Sequence, residues 1–320
     1  MIVTLDVYSG RPNPSWRLSD KDHARLLERV SGRALADETE VATDAALGPR
    51  GFVISAARDD EAPEGVPFAF RIGVSVRAPQ AGAESHATAH SASELQEVSR
   101  FLLSTGAHVL DPELMEFLEA SIQKIAQPGP SPADLMWEQP AEPAEPAEEL
   151  TEAEAIPPEE ALAAPAVAKL ACIIANTPYN PAFWNRPAVQ PKNNCYNYAM
   201  NWRSDTFAQP GRISGHPYTA INCAAVGTAA DWDGCHSYCR GSNKNVALVI
   251  APGPGFVDFH WYRRHREGFW GHKPGGTAAR NIDNRGRLIN GTTLTPANCD
   301  RGPYRIFCGY RYSPTGMRVS

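Results

Sequence analysis

Asn193-Asn194-Cys195-Tyr196-Asn197-Tyr198-Ala199 decides the fold of the carboxy-terminal half of this 320-residue chain. Asparagine is a good helix N-cap, and the residues after it suit a helix, so a helix is expected over Asn194–Trp202. Cys195 then sits in its first turn. There the helix dipole favours a thiolate, and free backbone N–H groups can receive an oxyanion. Downstream the periodicity changes. Asn245–Ala251 is a β-branched apolar run, Phe256–Tyr262 alternates, Gly268–Lys273 returns after a turn at Arg264–Glu267, and Tyr304–Tyr310 closes the series. One helix followed by an antiparallel sheet is an α+β arrangement.

His260 lies in the alternating run, with Phe259 and Trp261 on the opposite face of the strand. His272 follows 12 residues later on the return strand. The hairpin is expected to set residues 260 and 272 side by side, so that His272 orients the His260 ring as the third member of a triad does. Cys195 is the candidate nucleophile and His260 its base. Asp283 and Asn281 are rivals for the third position, and Asp258 is a further one on the same strand as His260. Gln190, Asn193 and Asn194 are candidate oxyanion donors beside the Cys195 amide. Trp261 and Trp270 are candidate substrate-lining rings with Tyr262 and Phe269, and Lys273 belongs to a candidate basic patch with Arg280, Arg285 and Arg287.

Upstream, residues 1–127 read as a small α+β domain. Strands are expected at Ile2–Tyr8, Arg50–Ser55 and Phe68–Val76, with helices from Ser19, over Glu94–Ser104 and over Pro112–Ile125. Ser9-Gly-Arg-Pro-Asn-Pro-Ser-Trp16 is dense in turn formers. Residues 128–168 repeat Pro-Ala-Glu, and such a composition cannot bury enough apolar surface to order itself, so an extended acidic spacer is expected. Residues 169–320 read as a basic domain expected to carry the catalytic site.

The formal charge of −6 hides an asymmetry: −7 over residues 1–127, −10 over 128–168 and +11 over 169–320. A basic half calls for an anionic substrate or surface, or for docking of the acidic amino-terminal half of the same chain. No nucleic-acid motif accompanies the basic residues. No apolar run reaches the roughly 18 residues of a membrane span. The opening Met1–Asp6 reads as a strand, with no signal peptide visible, so a cytoplasmic location is the default, with non-classical export as the other route.

All seven cysteines fall after residue 171. With Cys195 set aside six remain, open to disulfides, to plain burial, or to a zinc site using Cys223 and the Cys235-His236-Ser237-Tyr238-Cys239 segment, whose spacing departs from the usual knuckle.

A cysteine at a helix start, a histidine on a strand and a histidine on the next strand resemble the papain-like superfamily, and most closely its NlpC/P60 branch of cysteine peptidases and amidases. Over residues 179–312 the resemblance implies a papain-like helix and antiparallel sheet, and a Cys195-His260-His272 triad. It also implies hydrolysis of an amide bond in a peptide or peptidoglycan-like substrate, with no metal or cofactor. Acyl transfer is the same triad's alternative. Asn193-Asn194 stands where that family usually has Asp before the cysteine. Asn194–Ala199, Thr206-Phe-Ala-Gln-Pro-Gly211, Asp258–Tyr262 and Trp270–Gly275 are more similar to a group of bacterial proteins and to the insoluble matrix shell proteins of molluscs. That second resemblance supports a different function class, a non-catalytic cysteine-stabilised binding or matrix domain for an anionic polymer or surface.

Overall fold

The computed structural model describes residues 1–30, 46–56, 69–73, 92–124 and 171–320. The expected spacer over 128–168 lies outside them. The first stretch builds strands β1 (Ile2–Asp6) and β2 (Ser15–Arg17) and helix α1 (Asp20–Val30). Strands β3 (Gly51–Ser55) and β4 (Ala69–Gly73) and helices α2 (Ala92–Thr105) and α3 (Pro112–Gln123) follow. The strands form an antiparallel sheet in the order β2-β1-β3-β4. Asp111 caps α3, accepting from the Glu113 and Leu114 amides, and a proline at the first helical position suits that start.

After residue 171 come β5 (Cys172–Ile174), the short α4 (Pro181–Trp184), α5 (Cys195–Met200) and α6 (Cys223–Asp233). Strands β6 (Gly241–Pro252), β7 (Val257–Arg264), β8 (Trp270–His272) and β9 (Ile306–Pro314) complete the chain. β6 is central: it pairs antiparallel with β7 and β9 and parallel with β5. The sheet is therefore mixed rather than purely antiparallel, and the class is α+β. α6 corrects the expectation of a single helix in this half. Its alanine-rich sequence lacks the polar-apolar contrast that marks an amphipathic helix.

The described residues up to 124 and those over 171–320 belong to one compact unit. One face of the β6–β7 sheet carries Ala247, Val249, Ala251 and Tyr262 into the same apolar core as Val3, Leu5, Phe52, Leu114 and Leu118. The other face carries Val246, Leu248, Ile250, Phe259 and Trp261 against α5 and α6. Both faces of this strand pair are covered, which is why β7 buries six consecutive residues, Asp258–Arg263.

Candidate functional site

Side chains alternate across a strand, so β7 sends Asp258, His260 and Tyr262 to one face and Phe259, Trp261 and Arg263 to the other. The expected histidine pair is assembled. His272 stands opposite Tyr262 in the β7–β8 ladder, diagonal to His260 on the same face. The His260 Nε2 and His272 Nδ1 atoms are 2.9 Å apart, and His272 Nε2 lies 2.9 Å from the Ile282 carbonyl oxygen. That carbonyl can only accept, so His272 donates from Nε2 and its Nδ1 accepts from His260. His260 Nδ1 then keeps its lone pair, buried and without a hydrogen-bond partner. Burial pushes both rings towards neutrality. His260 falls well below the ordinary histidine range, with the neighbouring His272 and Arg50 adding to the effect, and His272 drops to about 3, with Arg280 adding to it.

The other candidates for the third position do other work. Asp283 accepts from the Arg285, Arg287 and Asp300 amides and from the Arg287 guanidinium, closing a loop. Asn281 offers its carbonyl to the Ile289 amide. Asp258 receives the amides of Ser9, Gly10 and Arg11 at 2.6, 3.1 and 3.0 Å, and the Tyr304 hydroxyl at 2.6 Å. Burial raises its pKa, and those four donors pull the other way. The dense turn at Ser9–Trp16 was legible in the sequence; its tip reaching a strand some 250 residues away was not. Asn13 shapes that turn by accepting from the Val7 and Tyr8 amides.

Cys195 lies on the opposite side of β7. Its Sγ packs 4.0 Å from the Phe259 carbonyl oxygen, inside the core cluster that holds Phe259 and Trp261. No hydrogen bond joins Cys195 to His260 among the described residues: Cys195 Sγ packs on the Phe259 carbonyl, and His260 Nε2 meets His272. Cys195 is fully buried, and burial, reinforced by the Asp258 charge, raises its thiol pKa well above the usual value. Burial outweighs the lowering that the Trp261 and Cys195 backbone N–H groups supply, so the expected activation at the helix start does not prevail. The Asn194 side chain takes up the Tyr196 and Asn197 amides in a capping box, and the Asn197 side chain takes the Asn194 amide.

The side chains of Asn193 and Asn194, two of the three oxyanion candidates, are engaged too. Asn194 donates to the carbonyls of Gly10 and Ala208, and Asn193 donates to Val189 O and Asp205 Oδ1 while accepting from Ser204 and Asp205 amides. Both side-chain amides thereby use all their hydrogen-bonding positions. Gln190 lies in a 3-10 turn whose carbonyl receives Lys273. Lys273 is buried, not part of a basic patch. Its ammonium spends its three N–H bonds on the carbonyls of Gln190, Asn193 and Gly275, although burial lowers its pKa to about 7. Trp261 packs on Tyr196, and Trp270 stacks on Tyr310; both rings are buried in cores rather than lining a cleft.

Four cysteines pair as Cys172–Cys239 and Cys223–Cys308, while Cys195, Cys235 and Cys299 are free and buried. Cys223 and Cys239 are thus unavailable to the zinc grouping. Among the described residues no helix is long and apolar enough to cross a membrane.

These features define an α+β protein with a disulfide-braced mixed sheet. No protein-family profile matches the chain, and no solved structure matches it. It is 41% identical over 140 residues to insoluble matrix shell protein 1 of Ruditapes philippinarum, covering 43% of this chain and 90% of that one. The chain belongs to the family of that protein. This relationship overturns the cytoplasmic default, since the relative is named for a shell matrix. The two disulfides agree with the correction, because such bonds persist in oxidising compartments.

Proposed function

We propose that this chain is a non-catalytic, disulfide-braced matrix or binding protein for an anionic polymer or surface. The observation that carries the reading is the 41% identity to an insoluble matrix shell protein. The burial of the groups that would have to react, Cys195 and His260, supports it. So does the net charge of +11 over residues 169–320, which favours polyanions. The rival reading is a papain-like amidohydrolase, or an acyl transferase using the same triad. It requires a thiolate beside an imidazole, whereas Cys195 packs on the Phe259 carbonyl and His260 bonds to His272.

Iodoacetamide labelling at pH 7 tests the choice. Cys195, Cys235 and Cys299 are expected to label slowly in the folded chain and rapidly in urea, because a buried thiol of raised pKa offers little thiolate. Rapid labelling of Cys195 alone in the native protein would restore the hydrolase. Retention on a polyanion column, lost on raising the salt, tests the binding half of the proposal.

A further inference from the structure

Helix α6 walls a cleft of about 420 Å³ that the preceding sections do not use. Its other wall is the loop through His216, Tyr218 and Thr219, and Trp232 stands at one end. Trp232 is 58% exposed, and its ring stacks on His216 with centroids 4.0 Å apart and planes within 10°. Unlike other exposed rings, this stacked pair lines a cleft, which gives the cleft a broad aromatic wall.

The platform is fixed in place. Asp233 accepts from the Gly211 amide at 2.7 Å and the Ser214 hydroxyl at 2.8 Å, which ties the 211–216 loop to the end of α6. The Cys223–Cys308 disulfide holds the start of the same helix to β9. His216 Nδ1 must donate to the Ser214 carbonyl, 2.8 Å away, so in the neutral ring Nε2 is an acceptor. The remaining polar atoms on the lining side chains are the Trp232 indole N–H and hydroxyls, among them those of Thr219 and Thr228, both exposed residues. Among the described residues no lysine, arginine or carboxylate lines the cleft.

We propose that this cleft binds pyranose rings of a polysaccharide, with the Trp232–His216 stack as the platform. A pyranose with equatorial hydroxyls presents a flat face of axial C–H bonds, which suits an aromatic ring. Its edge carries hydroxyls that pair with donors and acceptors such as the Thr219 and Thr228 hydroxyls and the His216 ring. A charged ligand would find no counter-charge here. The ligand class is independent of the polyanion reading, so either can fail without the other. A platform already held rigid loses little entropy on binding.

The test is calorimetric titration of cellohexaose and chitohexaose into the full chain and three variants. The wild type is expected to bind at least one of the two. Trp232→Ala is expected to weaken binding about tenfold, and Trp232→Phe to retain most of it. Tyr238→Ala removes an equally exposed ring outside the cleft, stacked on His236, and is expected to change nothing. Circular dichroism should show all variants folded, since Trp232 lies on the surface. Failure of the wild type to bind either sugar overturns the proposal. So does unchanged binding by Trp232→Ala, or an equal loss in Trp232→Ala and Tyr238→Ala. Binding of an apolar dye that Trp232→Ala abolishes, with no sugar binding, would instead make the cleft an apolar docking patch.

Discussion

The two faces of strand β7 carry opposite chemistry within one run of eight residues. On the α5 side, Phe259 and Trp261 close an apolar core over the Cys195 thiol, and Arg263 lies over the Tyr198 ring at 4.6 Å. On the other side, Asp258, His260 and Tyr262 form a polar, hydrogen-bonded layer with Tyr304, His272 and the Ser9–Arg11 turn. The difference teaches that proximity in sequence misleads at a strand. Phe259 touches the cysteine, while His260, one residue on, is turned away from it. A dyad needs both groups on one face, and the pleat denies that.

The polar face breaks most severely at Asp258. Asp258→Ala would strand three backbone amides and the Tyr304 hydroxyl, so urea unfolding should show a loss of about 3–5 kcal/mol. A loss under about 1 kcal/mol would mean that water replaces the carboxylate and that the turn is held elsewhere.

Gly10 probes where the two faces meet at the strand's end. A Cβ there would lie 2.4 Å from the Phe259 ring and 2.6 Å from the Phe259 carbonyl oxygen. Gly10→Ala is expected to cost about 1–3 kcal/mol and to lower the melting temperature, because backbone on both sides resists the shift. A neutral result would show that the turn can lift away.

The histidines sharpen the comparison through pH. His260 and His272 have folded pKa values below the unfolded value of roughly 6.5. Below that pH the unfolded chain takes up protons that the folded one refuses, so stability falls as the pH drops. The fall continues towards about 3 for His272, at up to roughly 1.4 kcal/mol per pH unit for each ring. Melting curves between pH 7 and 4 should show this slope, and His272→Gln should flatten it. An unchanged slope in that variant would place the titration elsewhere, with His265, held down to about 4 chiefly by burial, as the next group to test.

Much of the framework was readable one element at a time. The Asn194 cap, the β-branched run in β6, the alternation of β7 and the hairpin joining His260 to His272 all follow local rules, and each appears in the structure. Helix α6 was missed because Ala-rich turns carry no periodic contrast. The two disulfides were among the pairings open to six cysteines, and spacing alone could not select them.

The candidate site divides along the same line. The sequence determined that a capped helix begins at Cys195 and that His260 and His272 share a hairpin, because capping and strand pairing depend on near neighbours. Only the tertiary structure decided which face of β7 each group occupies, that Asn194 and Gly10 close the helix start, and that Lys273 is a buried strut. Those outcomes depend on what covers each side of the sheet. One of the covering elements, the Ser9–Arg11 turn, arrives from the far end of the chain, where no local pattern records its destination.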